Sequence, residues 1–190
     1  KTVKNGVDIV SLLMLQNGTP MINESFTGAD FGGVGLQDPS LQAFNFYLQF
    51  SNPNSPFYTW NESMKSALDV FAEEKVVMIL GYWKNFAELK KKNPFLNFSV
   101  ALAPQVEGSD KAENYADYWG LGVSRQSRYQ DAAWDFIVYA ATNSEAQKAY
   151  LSKVNRPPAL RSLIAELLKD PNLEVFARQA LTARSWPQVD

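Results

Sequence analysis

The chain has 190 residues, 46% of them apolar and 20% charged, with a net charge of −2. That is a globular composition with enough length for one core of ordinary size, and it offers neither a basic field for a nucleic acid nor a polybasic patch for an anionic membrane. Cysteine and histidine are both absent, which removes thiol nucleophiles, disulfides, zinc sites with nitrogen or sulfur ligands and Ser-His-Asp triads together.

No apolar run approaches the length of a membrane-spanning helix. The start, Lys1-Thr-Val-Lys-Asn-Gly6, reads as neither a signal peptide nor an initiating segment, so the chain is expected to be a fragment or a processed product. Val7 to Asn17 reads as a helix with Ile9, Leu12, Leu13 and Gln16 on one face and Gly18 placed to end it. Thr19 to Gly35 is polar and glycine-rich, a loop or a loop with a short hairpin. Its Gly33-x-Gly35 spacing lacks the strand, the later glycine and the Lys-Ser/Thr pair of a phosphate loop.

Asp38-Pro39 supplies an N-cap and a first-turn proline for a second helix, with Leu41, Phe44, Asn45 and Leu48 as its face. Ser51 to Pro56 is a turn region. Thr59 and Glu62 have capping-box spacing ahead of a helix marked by Met64, Leu68 and Phe71. The apolar run Val76 to Leu80 then reads as a short buried strand, stopped by Gly81 and followed by Tyr82 and Trp83. Trp83 to Lys92 is the next helix, its Lys90-Lys91-Lys92 triplet suited to the negative end of the helix dipole. Phe98 to Ala103 and Tyr118 to Ser124 read as two further strands, the latter with Gly120 and Gly122 inside it.

From Ser127 onward the pattern is helical. Ser127 with Gln130, and Thr142 with Glu145, have capping-box spacing. Trp134, Ile137, Val138 and Ala141 form an apolar stripe that reads as core, and Ala146, Ala149 and Tyr150 are expected to face inward. Asn155-Arg156-Pro157-Pro158 is extended because two prolines forbid helix there. Leu160 to Leu168 and a helix opened by Asp170-Pro171 complete the chain. About eight helices and at least three strands argue an α/β or α+β fold.

The chemistry-bearing candidates are aromatic. Glu73 and Glu74 are adjacent, face different ways and sit at a helix end; Asp110, Glu113 and Asp117 lie in or near a loop. Neither set resembles two carboxylates held in an apolar pocket. No calcium-loop spacing is present, and no cofactor or metal is expected. Tyr82 and Trp83 stand where a buried strand emerges at a glycine, the place where α/β proteins build ligand sites. An indole covers the apolar C–H face of a sugar while its polar edge reaches the rim. The residues alone leave open three readings: a carbohydrate-binding protein, a glycoside hydrolase fragment, and an interaction domain whose aromatics meet a protein partner.

The succession Phe71-Ala-Glu-Glu-Lys-Val-Val-Met-Ile-Leu-Gly-Tyr-Trp83 resembles the corresponding segment of extracellular solute-binding proteins that serve ABC sugar importers, the maltodextrin-binding-like group. Ala101-Leu-Ala-Pro104, Trp119-Gly-Leu-Gly-Val-Ser124 with the helix to Phe136, Asn155-Arg-Pro-Pro158 with Arg161, and Ala183-Arg-Ser-Trp186 resemble later landmarks of that family in the same order. The resemblance implies an α/β lobe of the type II periplasmic-binding-protein kind, a central mixed sheet flanked by helices. It implies that residues 1–190 are the C-terminal lobe, with crossover or hinge segments near 102–125 and 183–190, and that the N-terminal lobe is absent.

It further implies a non-enzymatic monomer in the periplasm or outside the cell, with any signal peptide or lipidated cysteine in the missing part. A mono- or oligosaccharide would be captured by lobe closure and delivered to the membrane permease subunits of an ABC importer. By carry-over, Trp83 would stack on the sugar, Tyr82 would make a second contact, Tyr118, Trp119 and Gly120 would form a second wall, and Arg156 and Trp186 would contribute from their loops.

Overall fold

The computed structural model describes residues 2–33, 35–118, 120–154, 156–171 and 173–185. Trp119, Asn155 and Trp186, which the sequence singled out, lie outside the described residues. The chain divides into two compact units. The first comprises residues 1–98, 103–116 and 182–190, the second residues 99–102 and 117–181. The chain passes from the first unit to the second at 116/117 and returns at 181/182.

The first unit holds helices α1 (Gly6–Gln16), α2 (Pro39–Gln49), α3 (Ala67–Ala72) and α4 (Trp83–Lys92), with β1 (Asn114–Tyr115) and β2 (Ala183–Arg184). Local chemistry sets most of these boundaries. Gly18 takes φ +75° just beyond α1, and the Thr19 N–H closes on the Met14 carbonyl, so the glycine ends the helix as its position predicted. Asp38 caps α2, its carboxylate accepting from the N–H groups of Ser40 and Leu41. The Ser40 hydroxyl and these backbone donors hold the Asp38 carboxyl below its ordinary range. A Cβ on Gly33 would overlap that carboxylate, which accounts for a glycine there. The hairpin in the glycine-rich loop is a single antiparallel bridge, Ile22 to Ala29.

Other boundaries differ from the sequence expectation. Thr59 and Glu62 cap nothing; Ser66 caps α3, its hydroxyl accepting from the Asp69 N–H at 3.3 Å. On α2 the buried positions are Ser40 and Ala43, while Leu41, Phe44 and Leu48 are exposed. Small residues let α1 and α2 approach, with Ser11 of α1 buried as well. Gly6 serves the same packing, since a Cβ there would come within 2.9 Å of the Tyr47 hydroxyl.

The core of this unit is Ala43, Val70, Leu89 and Leu96. A row of rings adds to it. Phe71 meets Phe98 edge-on at 5.8 Å, Phe98 meets Phe86 at 5.2 Å, and Phe86 stacks on Trp83 at 4.8 Å and 12°. Such pairs add about 0.5–1.5 kcal/mol each beyond the area they bury. Lys92 of α4 pairs with Asp69 of α3 at 2.7 Å, and Glu73 receives both Lys65 and, at 2.7 Å, Lys75.

The expected central sheet is reduced, among the described residues, to the parallel pair β1–β2. Val76–Leu80, Phe98–Ala103 and the described part of Tyr118–Ser124 are not strands. The expected burial of Val76–Leu80 is also corrected: Val77 is fully exposed and Met78 is 74% exposed. A strand is defined by its ladder, and among the described residues the ladder is formed by β1 and β2.

The second unit consists of α5 (Gln130–Thr142), α6 (Ser144–Val154), α7 (Arg161–Leu167) and α8 (Glu174–Ala180). Its buried apolar residues are Leu163, Ile164 and Ala177, and Lys148 of α6 reaches Glu166 of α7 at 3.1 Å. Ser127 and Thr142 do not cap helices. Asn143 starts α6 by accepting from the Ala146 N–H at 2.9 Å, and the Thr142 hydroxyl bonds back to the Val138 carbonyl. Nor is the α5 stripe core: Trp134 is 50% exposed and Val138 is exposed with it. Ala149 and Tyr150 of α6, expected to face inward, are exposed too.

At the junction, buried Asn114 donates to the Thr182 hydroxyl at 2.7 Å, Arg184 pairs with Glu113 at 3.2 Å, and the Gln16 amide spans the Pro104 and Glu113 carbonyls. Asn114→Ala removes a buried donor and leaves its surroundings unfilled, so urea denaturation should show a loss of about 1–3 kcal/mol. A change within the scatter of surface substitutions would contradict that role.

Acid should destabilise the first unit in a defined window. Lysine partners hold the Glu73 carboxyl below its ordinary range, and Lys92 with Ser66 does the same for Asp69. A carboxyl depressed in the folded state contributes stability above its unfolded value and loses it as pH falls through the folded one, hence below about pH 4. Denaturation midpoints from pH 7 down to pH 3 should fall less steeply for Glu73→Gln than for the parent chain.

Candidate functional site

The site is built on the stretch that links α3 to α4. Gly81 and Tyr82 form the last turn before α4, and Asn85 fixes them: its Oδ1 accepts from the Tyr82 N–H at 2.8 Å. Asn85 is the third residue of the helix and is buried, so this is one half of a reciprocal cap. A Cβ on Gly81 would stand 3.0 Å from the same Oδ1. The glycine at 81 therefore lets the Asn85 side chain fold back over the turn. That partner three residues ahead is visible in the sequence as an Asn in the first turn of a helix, a signal the reading from aromatics alone did not use.

Trp83 is the first residue of α4 and half-buried. One face of its indole lies on Phe86, and its Nε1 is buried. It is the end member of the ring row that runs through Phe86 and Phe98 to Phe71. Tyr82 is half-buried, with the Lys84 ammonium 5.3 Å above its ring. The Lys90 ammonium sits 5.0 Å over Phe98. The two aromatics are thus brought together by the Asn85 cap and held by a common packed row.

Tyr118, Gly120 and Arg156 belong to the second unit. Tyr118 is 69% exposed, nothing lies within 4 Å of where a Gly120 Cβ would be, and Arg156 is exposed. Arg156 precedes Pro157 and the buried Pro158 in the extended loop before α7. Trp119 and Trp186 lie outside the described residues.

Two hollows mark the first unit. One, of about 370 Å³, is lined by Val3, Leu68, Ile79, Leu80 and Lys84 among others, beside the turn that carries Tyr82. The other, of about 340 Å³, lies between the hairpin loop and the start of α2; there the Asp38 carboxylate is already committed to the cap. Among the described residues no cluster of three acidic side chains could hold a metal ion, and no helix is long and apolar enough to cross a membrane. The arrangement offers aromatic surface, with the Tyr82 hydroxyl and the Trp83 Nε1 buried, and Asp69 and Glu73 of the same unit are tied to lysines.

Residues 11–175 match the family described as bacterial extracellular solute-binding protein. No curated protein matches the chain. Among solved structures, the crystal structure of a cyclo/maltodextrin-binding protein complexed with maltotetraose superposes with a TM-score of 0.72 at 17% identity, over 97% of this chain and 48% of that one. The likeness establishes the α/β fold of the type II periplasmic-binding-protein kind. The chain spans about half the length of that relative.

Asn85→Ala should unlatch the turn at Gly81–Tyr82. The expected cost is about 1 kcal/mol, the usual effect of losing a helix cap, read from urea denaturation. Asn85→Asp, which keeps the acceptor, should restore most of the loss.

Proposed function

The chain belongs to the bacterial extracellular solute-binding proteins, and on that premise we propose that it captures a carbohydrate, a mono- or oligosaccharide, and hands it unchanged to the permease subunits of an ABC importer. The family is one of binding proteins, and the reading needs no covalent step. The observation that carries the sugar assignment is Trp83: a tryptophan fixed at the start of α4, backed on one face by Phe86 and flanked by Tyr82. A packed backing holds the indole in one orientation before any solute arrives, which lowers the ordering cost of binding. A rigid aromatic plane fits the apolar C–H face of a pyranose. The fold it shares with a protein crystallised with maltotetraose supports the same class of solute.

On this reading Trp83 stacks on the sugar, Tyr82 adds a second contact, and Tyr118, Trp119, Gly120, Arg156 and Trp186 supply further contacts. Closure of two lobes about a hinge excludes water, and the closed form is what the permease recognises. Residues 1–190 are read as the C-terminal lobe with its crossover segments. The protein works as a monomer in the periplasm or at the outer cell surface, free or lipid-anchored.

The test is calorimetric titration of the full natural gene product with glucose, maltose and maltotetraose. At least one should bind, and Trp83→Ala should weaken that binding by about tenfold or more, on the order of 1.4 kcal/mol. Absence of heat with every sugar, or binding untouched by Trp83→Ala, overturns the assignment.

A further inference from the structure

Lys65 and Lys75 share Glu73, and Lys92 holds Asp69. Lys4 and Lys84 are placed differently. Both line the hollow of about 370 Å³ beside the Tyr82 turn, and among the described residues neither forms an ion pair. One carboxylate shares that lining, Glu88, and its ion-pair partner is Lys92 at 3.8 Å. The hollow therefore sets two uncompensated cations against one acid that is already engaged. Asn85 adds a directed donor. It lines the same hollow and is only 9% exposed. Its Oδ1 is taken by the Tyr82 N–H, so Nδ2 is the free end of the amide, and among the described residues that nitrogen has no partner. The starts of α1 and α4 reach the lining through Asn5 and Lys84, which adds the positive ends of two helix dipoles to the lysines. Leu68, Ile79 and Leu80 make the remaining wall apolar.

We propose that this hollow receives the anionic group of an acidic sugar, a carboxylate or a phosphate ester. The proposal rests on the sugar capture argued above and narrows its solute. A neutral sugar seated here would strip water from two like charges and return nothing for it, whereas an anion compensates both. Carboxylate and phosphate oxygens accept from ammonium groups and from an amide N–H alike, and such charge-assisted bonds are the stronger kind. The apolar wall suits the C–H edge of the ring that carries the acid. Trp83 and Lys84 are consecutive on α4, so the recess for the acid and the residue that stacks on the sugar are fixed by one helix start.

Calorimetric titration of the full natural gene product with three acids and three neutral sugars tests this. The acids are glucuronate, galacturonate and glucose 6-phosphate. Their neutral counterparts are glucuronamide, which matches glucuronate in shape without its charge, galactose and glucose. At least one acid should bind about tenfold or more tighter than its counterpart. Which acid does so separates a carboxylate from a phosphate ester. A neutral sugar that gives no heat counts at the detection limit. Lys4→Gln and Lys84→Gln, both at exposed positions, should each lower the ratio of acid to neutral affinity by about threefold or more, and Lys84→Arg should keep most of it. Acids that bind no tighter than the neutral sugars, or a ratio that neither glutamine variant moves, overturn the inference while sugar capture stands. Acid binding that responds to the lysines but not to Trp83→Ala overturns the stacking assignment and leaves the acid recess in place. Absence of heat from all six overturns both.

Discussion

One row of four rings governs the first unit. Phe71 lies in the last turn of α3, Phe98 follows the break after α4, and Phe86 and Trp83 lie one turn apart on α4 itself. Because the row begins on one helix and finishes on the next, it fixes where the chain between them starts and stops. Val76–Leu80 is suspended between two fixed points, which is why a stretch without a single backbone hydrogen bond still delivers Gly81 and Tyr82 to a defined place. The Asn85 cap then fixes the last turn. A row of rings tolerates this role well: each contact is worth little, but the rings are stiff and displacing one disturbs its neighbours.

The junction where the chain leaves and re-enters the first unit is built on different physics. Among the described residues, Gln16, Glu113, Asn114, Thr182 and Arg184 meet there through hydrogen bonds and an ion pair. Asn114 is buried, so its amide needs its partner, and the parallel pair β1–β2 gives the two passing segments a fixed register. Directional bonds specify position without depending on close packing. That suits a connection whose segments come from residues about 70 apart in sequence, where apolar contacts alone would allow slippage.

What could be read from sequence divides along the same line. Helices α1, α2 and α4 were legible because their signals are local: Gly18 after the last turn, Asp38-Pro39 before the first, Pro94 beyond Lys92. The faces were less so. On α2, period alone favoured Leu41, Phe44 and Leu48, but the helix buries Ser40 and Ala43, because close approach to α1 rewards small residues. Thr59, Ser127 and Thr142 have the spacing of caps, yet a side-chain acceptor caps a helix only where the chain turns, and the turns fall at Ser66 and Asn143 for α3 and α6. The β1–β2 pair had no signal at all: two residues on each side, polar and distant in sequence.

The three apolar runs are the instructive case, since their pattern was legible and their pairing was not. A helix completes its hydrogen bonds within its own sequence; a strand borrows them from elsewhere. A sequence can therefore declare a segment to be strand-like while lacking the segment that makes it one. The same asymmetry explains the uneven state of the candidate site. Tyr82 and Trp83 are placed by contacts local to α3 and α4, so their geometry is already set within this chain. Tyr118 is exposed and Gly120 has open space around it, so no packed neighbour sets their geometry.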